Sequence, residues 1–323
     1  MEFFRQGLRY PLSFLKVINR KFLNASPFSD EYVQFYNQEA NDFIREQIEN
    51  HIYKSGYMIA KFGTYELENL LYFSQNNKTF VAYKDMVNCI RKIYWTDVKK
   101  YLPNTGFFPM EQSSAKKLAE LYMNDIPQID VLGSYIKAES YLQGELKNAV
   151  RVNLEGYYAP YLWKNPWTKS LEGKKVLVVH PFTESIKTQY KKRQFLFEDT
   201  SVLPEFSELL TVKAVQSIAN SPSGFTTWFD ALSYMEKQIS ELDFDIALIG
   251  CGAYGLPLAA HIKRMGKIAV HLAGWTQMLF GIYGNRWIHE QTKFKKFINN
   301  SWIKPSKEET PQNFTSVENG CYW

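Results

Sequence analysis

The sequence predicts an α/β protein with a doubly wound, mostly parallel sheet and helices on both faces. Three observations lead there. The first is a βαβ pattern late in the chain. It consists of the apolar run Phe244–Ile249, the turn Gly250-Cys251-Gly252-Ala253-Tyr254-Gly255, a helical stripe of Leu258, Ala259, Ile262 and Met265, then Gly266 and the apolar run Ile268–Leu272. Such a unit has parallel strands and a right-handed crossover. The second is the buried-strand run Lys175–Val179, closed by His180-Pro181. The third is size: 323 residues, 45% of them hydrophobic, bury a large core as one unit or two closely apposed halves. A glycine turn between strand and helix makes the expected sheet Rossmann-like.

Along the chain, residues 1–28 read as a basic-aromatic arm. Phe3, Phe4, Leu8, Leu12, Phe14 and Phe22 are interspersed with Arg5, Arg9, Lys16, Arg20 and Lys21, and Pro11 interrupts the stretch as a helix. An arm of this kind packs on the protein's own surface, on a second copy in a homo-oligomer, or peripherally on the inner membrane face. Residues 29–165 form the N-terminal α/β half. There, Ser29 or Asp30 is placed to cap a helix carrying Val33, Tyr36, Ala40, Ile44, Ile48 and Ile52. Tyr57–Lys61 reads as a buried strand running into Phe62-Gly63-Thr64, with Thr64 capping a helix that buries Leu67, Leu70 and Leu71. A loop is expected between Tyr94 and Pro109, a helix around Ala115, Leu118, Leu121 and Tyr122, and a short strand at Ile129–Leu132.

The aromatic run Tyr157–Trp167 connects to the C-terminal Rossmann-like half, residues 166–290. In that half Thr226 or Thr227 caps the strongest helical pattern of the sequence: Trp228, Leu232, Met235, Ile239 and Leu242 recur every three or four residues. Residues 291–323 read as a tail, polar from Lys304 onward, with little pattern before Cys321-Tyr322-Trp323.

Composition excludes several classes. The net charge of +5 is modest and its basic residues are mixed with acidic ones, so no nucleic-acid partner is expected. Cys89, Cys251 and Cys321 are too few and too scattered for a disulfide framework or a zinc site, which indicates a reducing compartment. No run approaches the roughly 18 apolar residues of a spanning helix, and no signal-peptide pattern opens the chain, so a cytoplasmic location is expected.

The glycine turn carries the first chemical expectation. Gly250, Gly252 and Gly255 would let a phosphate approach the backbone at the amino end of the following helix, although the same glycines also serve close helix–strand packing. A dinucleotide site needs an acid about twenty residues on, at the end of the next strand. This strand ends His271-Leu272-Ala273-Gly274, so NAD is not expected. Ligands of open α/β sheets bind beyond the carboxyl ends of strands, which makes His180, His271 and Gln277 candidates for the site. Lys187 and Arg193 read either as a diphosphate clamp or as a solvated helix face. Asp130 and Glu184 are candidate bases near strand ends.

The phrase Ala60-Lys61-Phe62-Gly63-Thr64-Tyr65-Glu66-Leu67 resembles the Arg-Phe-Gly-Asp-Gly-Glu segment of the GT-D-type bacterial glycosyltransferases. The order of elements from Asp245 through His271, and the stretch from Gln216-Ser217 to Asp230 before it, are similar to theirs. The likeness covers about residues 56–290. The chain more closely resembles proteins of no assigned reaction from bacterial surface-polysaccharide gene clusters (capsule or O-antigen). These share the His180-Pro-Phe, Gly250-Cys-Gly-Ala-Tyr-Gly255 and Gly320-Cys-Tyr-Trp323 phrases.

What the resemblance implies is transfer of a sugar from a nucleotide-sugar donor to a saccharide or lipid-linked saccharide acceptor, with Mn²⁺ or Mg²⁺ assisting. It implies donor contacts at Gly63 and Thr64 and catalytic or metal duty for Glu66, with His180 and Asp130 as further catalytic candidates. Thr64 stands where the family has aspartate, so Glu66 is the one carboxylate left of the pair, a poor ligand set for either ion. A nucleotide- or sugar-binding protein without catalysis, or a Rossmann-type oxidoreductase, are the alternatives.

Overall fold

The computed structural model describes residues 28–75, 95–218 and 221–323. Apart from Phe28, the arm lies outside the described residues, as does Cys89. Seven parallel strands form one sheet in the order β3-β2-β1-β7-β6-β4-β5: β1 Tyr57–Ala60, β2 Val131–Ser134, β3 Val150–Asn153, β4 Lys175–His180, β5 Glu208–Lys213, β6 Ile246–Ile249 and β7 Ile268–His271. The expected α/β architecture is therefore present. The two expected halves contribute β1–β3 and β4–β7, and the β1–β7 ladder, with Tyr57 opposite Ile268 and Ile59 opposite Val270, makes them one sheet.

Parallel strands covered on both faces need apolar side chains at every position, and β1, β2, β6 and β7 are buried throughout. Successive residues point to opposite faces, so each strand feeds two cores. Met58, Ala60, Leu177, Val179, Ala247 and Ile249 enter one of them. It is shared with α2 Thr64–Gln75, α4 Gln112–Asp125, α7 Trp228–Ser240 and α8 Gly255–Arg264. Ile59, Val176, Val178, Leu248 and Val270 enter the other, against α1 Asn37–His51, α5 Leu154–Tyr158, α6 Thr183–Tyr190, α9 Thr276–Leu279 and the C-terminal segment.

Helix α7 matches its sequence pattern: Thr227 and Asp230 form a reciprocal capping box, and Trp228, Leu232, Met235 and Ile239 are buried. Trp228 stacks on Tyr254 of the glycine turn, with centroids 4.7 Å apart.

Four expectations change. Helix α1 starts at Asn37 rather than near Ser29, because residues 33–36 are drawn along the edge of β3. There Gln34 N–H donates to the Arg151 carbonyl at 2.8 Å. Thr64 is the first residue of α2 rather than its cap. The expected loop between Tyr94 and Pro109 contains helix α3, Trp95–Tyr101, whose Trp95 packs on Tyr72 and Phe73. Residues 291–323, read as a tail with little pattern, are packed: Phe294, Trp302 and Trp323 belong to the second core, and Val317 and Cys321 are buried as well. Strands β3 and β5 had no clear signal, since Val-Arg-Val-Asn is half polar and the edge strand β5 is exposed at both ends.

Candidate functional site

In this strand order the chain leaves β4 toward β5 but leaves β6 toward β7, and it leaves β1 toward β2, away from β7. Crevices open where neighbouring connections diverge, at the carboxyl ends of the strands. A cavity of about 300 Å³ lies there, walled by residues following β1, β2, β4, β6 and β7 and by the C-terminal segment.

Lys61 follows the last residue of β1, so a fully buried strand delivers a cation to the cavity wall. Its Nζ donates to the Phe62 carbonyl at 3.2 Å and lies 5.4 Å from the centre of the Tyr135 ring. Burial pulls its pKa down to about 8, with Arg286 adding to the effect and Glu66 opposing it. Glu66, in the first turn of α2, folds its carboxylate back over Gly63. A Cβ on that glycine would sit 1.9 Å from Oε2, so a larger residue there would displace the Glu66 carboxylate. Burial raises the Glu66 pKa; its own backbone N–H and then Lys61 act against the rise. Lys61 and Glu66 thus form a perturbed pair within a cleft, the usual signature of a working site.

His180 ends β4. Its Nδ1 accepts from the Phe182 N–H at 3.0 Å, which leaves Nε2 to carry the proton of the neutral ring. Burial lowers its pKa to about 3. His271 ends β7, and its ring lies on Gly255, where an added Cβ would be 2.1 Å from Nε2. Neither of its ring nitrogens has a hydrogen-bond partner of good geometry among the described residues. Its pKa is likewise lowered to about 3, first by burial and then by the Lys61 ammonium, with the Lys61 carbonyl opposing. Both histidines are neutral imidazoles at working pH, and neither supplies a positive charge.

Of the residues expected at the site, Gly63, Thr64, Glu66, His180, Gly250, Gly252, His271 and Gln277 line this one cavity. Gly255 backs it through His271. The glycine turn, however, is packed against protein atoms. Gly252 has φ +59 and faces the Thr105 carbonyl, and Gly250 faces the Ala273 carbonyl and the His180 ring. These glycines are required by close packing, whatever else the turn contacts. Gln277 uses its Nε2 on the Ile282 and Tyr322 carbonyls at 3.3 and 3.1 Å, so it fastens the C-terminal segment to the wall.

Four expected residues lie elsewhere. Asp130 precedes β2 at the opposite, amino edge of the sheet, where Oδ2 accepts from Met58 N–H at 2.8 Å and Lys263 Nζ at 2.7 Å. The strand starts at Val131 rather than Ile129, and with either start Asp130 lies at its amino end, away from the cavity. Lys187 and Glu184, the other candidate base, point to solvent and pair with each other at 2.9 Å, outside the cavity lining. Arg193 pairs with Glu205 at 2.9 Å, and neither cation lines the cavity. The described residues do not by themselves form a cage for Mg²⁺ or Mn²⁺. Glu66 has the Lys61 ammonium and the Glu318 carboxylate as charged neighbours, and among the described residues no three His, Cys, Asp or Glu side chains converge to hold a metal ion.

Sequence reasoning missed Lys61 as a site residue, although its place after a buried strand was the available signal. It also missed Tyr135, Arg286, Glu318 and Tyr322. Arg286 opens an irregular turn, Arg286–Glu290, and Glu318 lies in a patternless stretch, so no periodicity pointed to them. Among the described residues, no helix is long and apolar enough to cross a membrane. No protein-family model matches the chain, and no curated protein or solved structure is significantly similar to it.

Proposed function

We propose that the cavity binds a nucleotide sugar and transfers its sugar to a saccharide acceptor, free or lipid-linked, in surface-polysaccharide assembly at the cytoplasmic face of the inner membrane. The observation that carries this reading is the meeting of Lys61 and Glu66 in one wall of a cavity at the carboxyl ends of four central strands, β1, β4, β6 and β7. The resemblance of the Ala60–Leu67 phrase to the GT-D-type segment supplies the reaction class.

In the transfer, the bond between the anomeric carbon and the diphosphate oxygen breaks and a bond from an acceptor hydroxyl oxygen to that carbon forms. Both electrons of the broken bond leave with the nucleoside diphosphate. Lys61, with the neutral His180 Nε2–H as a further donor, offsets that growing charge. Glu66 takes the acceptor's proton, a role suited to a carboxylate whose pKa burial has raised. A cavity of about 300 Å³ suits a hexose and diphosphate, with the nucleoside at the rim.

Calorimetric melting with UDP, GDP and CMP sugars and with NAD(P) tests the reading. Ligand at about 100 times its Kd stabilises the folded state by about 2.7 kcal/mol. At least one nucleotide sugar is expected to raise the melting temperature while NAD(P) does not, and Glu66→Gln is expected to keep donor binding and lose turnover. Stabilisation by NAD(P) alone would overturn glycosyl transfer in favour of an oxidoreductase. Donor binding with no turnover on any acceptor would reduce the protein to a binding module.

A further inference from the structure

We infer that Arg286 is the receptor for the ligand's anionic group, and that Glu318 occupies it in the ligand's place until the ligand arrives. The inference rests on the glycosyl-transfer reading only in naming that group as the donor's diphosphate.

Arg286 lines the cavity from the turn beyond α9. Its guanidinium is oriented by contacts that do not involve Glu318. Nη1 donates to Tyr322 OH at 3.2 Å, Nη2 approaches Cys321 Sγ at 3.3 Å, and the group lies 4.6 Å from the centre of the Tyr322 ring. Onto this prepared fork the Glu318 carboxylate binds, hydrogen-bonded to Nη2. A planar carboxylate is the protein's nearest imitation of the paired oxygens of a phosphate, and both suit a guanidinium.

The two partners are held very differently. Arg286 is 19% exposed, whereas Glu318 is 37% exposed and its further polar contacts are the Cys321 thiol and a long 3.4 Å one from Tyr65 OH. The backbone presenting Glu318 is strained: Glu318, Asn319 and Gly320 have φ of +45, +55 and +74 in succession. Only the last of these is a residue for which the left-handed region carries no penalty. Withdrawing the Glu318 side chain leaves Arg286 where its Tyr322 and Cys321 contacts hold it.

Charge bookkeeping agrees. Among the described lining residues, with Glu318 in place the cations Lys61 and Arg286 face the carboxylates Glu66 and Glu318, and both histidines are neutral; Glu290, 4.0 Å from Arg286 Nε, stays outside the lining. A diphosphate entering an evenly balanced cavity gains little, but one that displaces Glu318 meets a net positive site.

Titration calorimetry with inorganic pyrophosphate and with UDP, on the full chain, tests this. Glu318→Gln is expected to bind pyrophosphate about fivefold tighter than the unaltered protein, the scale of one partly exposed ion pair. In an Arg286→Gln background the same change is expected to do nothing, because no guanidinium remains to be freed. Should Arg286→Gln not fold, Arg286→Lys keeps the charge, loses the fork and is expected to shrink the gain. Unchanged or weaker binding by Glu318→Gln would overturn the inference. So would an equal gain in the Arg286-substituted chain, since general repulsion by a carboxylate would then explain it. If pyrophosphate shows the gain but no nucleotide sugar binds, the inference stands and glycosyl transfer falls. If nucleotide sugars turn over and Glu318→Gln leaves their binding unchanged, the reverse holds.

Discussion

Lys61 sits where two demands conflict. The end of a buried strand is a poor place for an ammonium, and the cost appears as a pKa lowered to about 8 from 10.5. Below about pH 8 the group is charged in both the folded and the unfolded chain, and the folded state bears the full desolvation cost. Between about 8 and 10.5 the unfolded chain holds a proton that the folded chain has released, so stability should rise with pH across that window. Diphosphate affinity should move the opposite way and fall as pH rises through 8. Lys61→Met is therefore expected to weaken pyrophosphate binding by about 10- to 100-fold, the worth of one charge-assisted hydrogen bond, and to remove both pH dependences. Denaturant midpoints and titration calorimetry from pH 6.5 to 10 would measure them. A variant less stable than the parent at pH 7, with unchanged affinity, would show Lys61 to be structural. At this scale the sequence was legible where a residue's place followed from a strand end, as for His180 and His271. It was illegible where placement depended on distant chain, as for Arg286 and Glu318, because a turn without periodicity does not announce which cavity it enters.

The glycine turn illustrates how an element is recognised correctly while its purpose stays open. Its strand, helix and spacing were readable in the sequence because each glycine stands at a junction of regular apolar runs. Two packing demands were not. The Thr105 carbonyl reaches Gly252 and the His271 ring reaches Gly255 across long sequence separations. Gly255→Ala separates packing from ligand approach, since its Cβ would lie 2.1 Å from His271 Nε2 inside a close-packed wall. Destabilisation of about 1–3 kcal/mol is expected from such overpacking, with pyrophosphate affinity at saturation of the folded state changed less than twofold. Urea unfolding and calorimetry on the same preparation decide the matter. Loss of affinity with stability intact would return the turn to the role of a phosphate cradle. Helix α6 shows a similar dependence on remote chain: Glu309, far along the C-terminal segment, accepts from the N–H groups of Glu184 and Ser185 and from the Ser185 hydroxyl. That segment therefore anchors the helix that follows His180.

At the scale of the whole molecule, the chain folds as one sheet whose centre is assembled from its two ends. Strand β1, from the first half, is flanked by β2 of its own half and by β7 of the other, and every one of its residues is buried. Further ties cross the same seam. Tyr122 OH donates to the Ala253 carbonyl at 2.8 Å, Tyr157 OH to the His271 carbonyl, and Tyr57 N–H to the Lys267 carbonyl at 3.1 Å. Separating the halves would leave two central strands with bare apolar edges, an arrangement prone to aggregation rather than to independent folding. Residues 29–165 and 166–323 are thus expected each to lack a cooperative urea transition by circular dichroism. Mixed during refolding, they are expected to recover the transition together with pyrophosphate binding. The second recovery is the sharper one, because Lys61 and Glu66 come from one fragment and His180, Arg286 and Glu318 from the other. If the 166–323 fragment unfolds cooperatively by itself and binds pyrophosphate as the whole chain does, the site belongs to the C-terminal half alone, and the roles given to Lys61 and Glu66 are wrong.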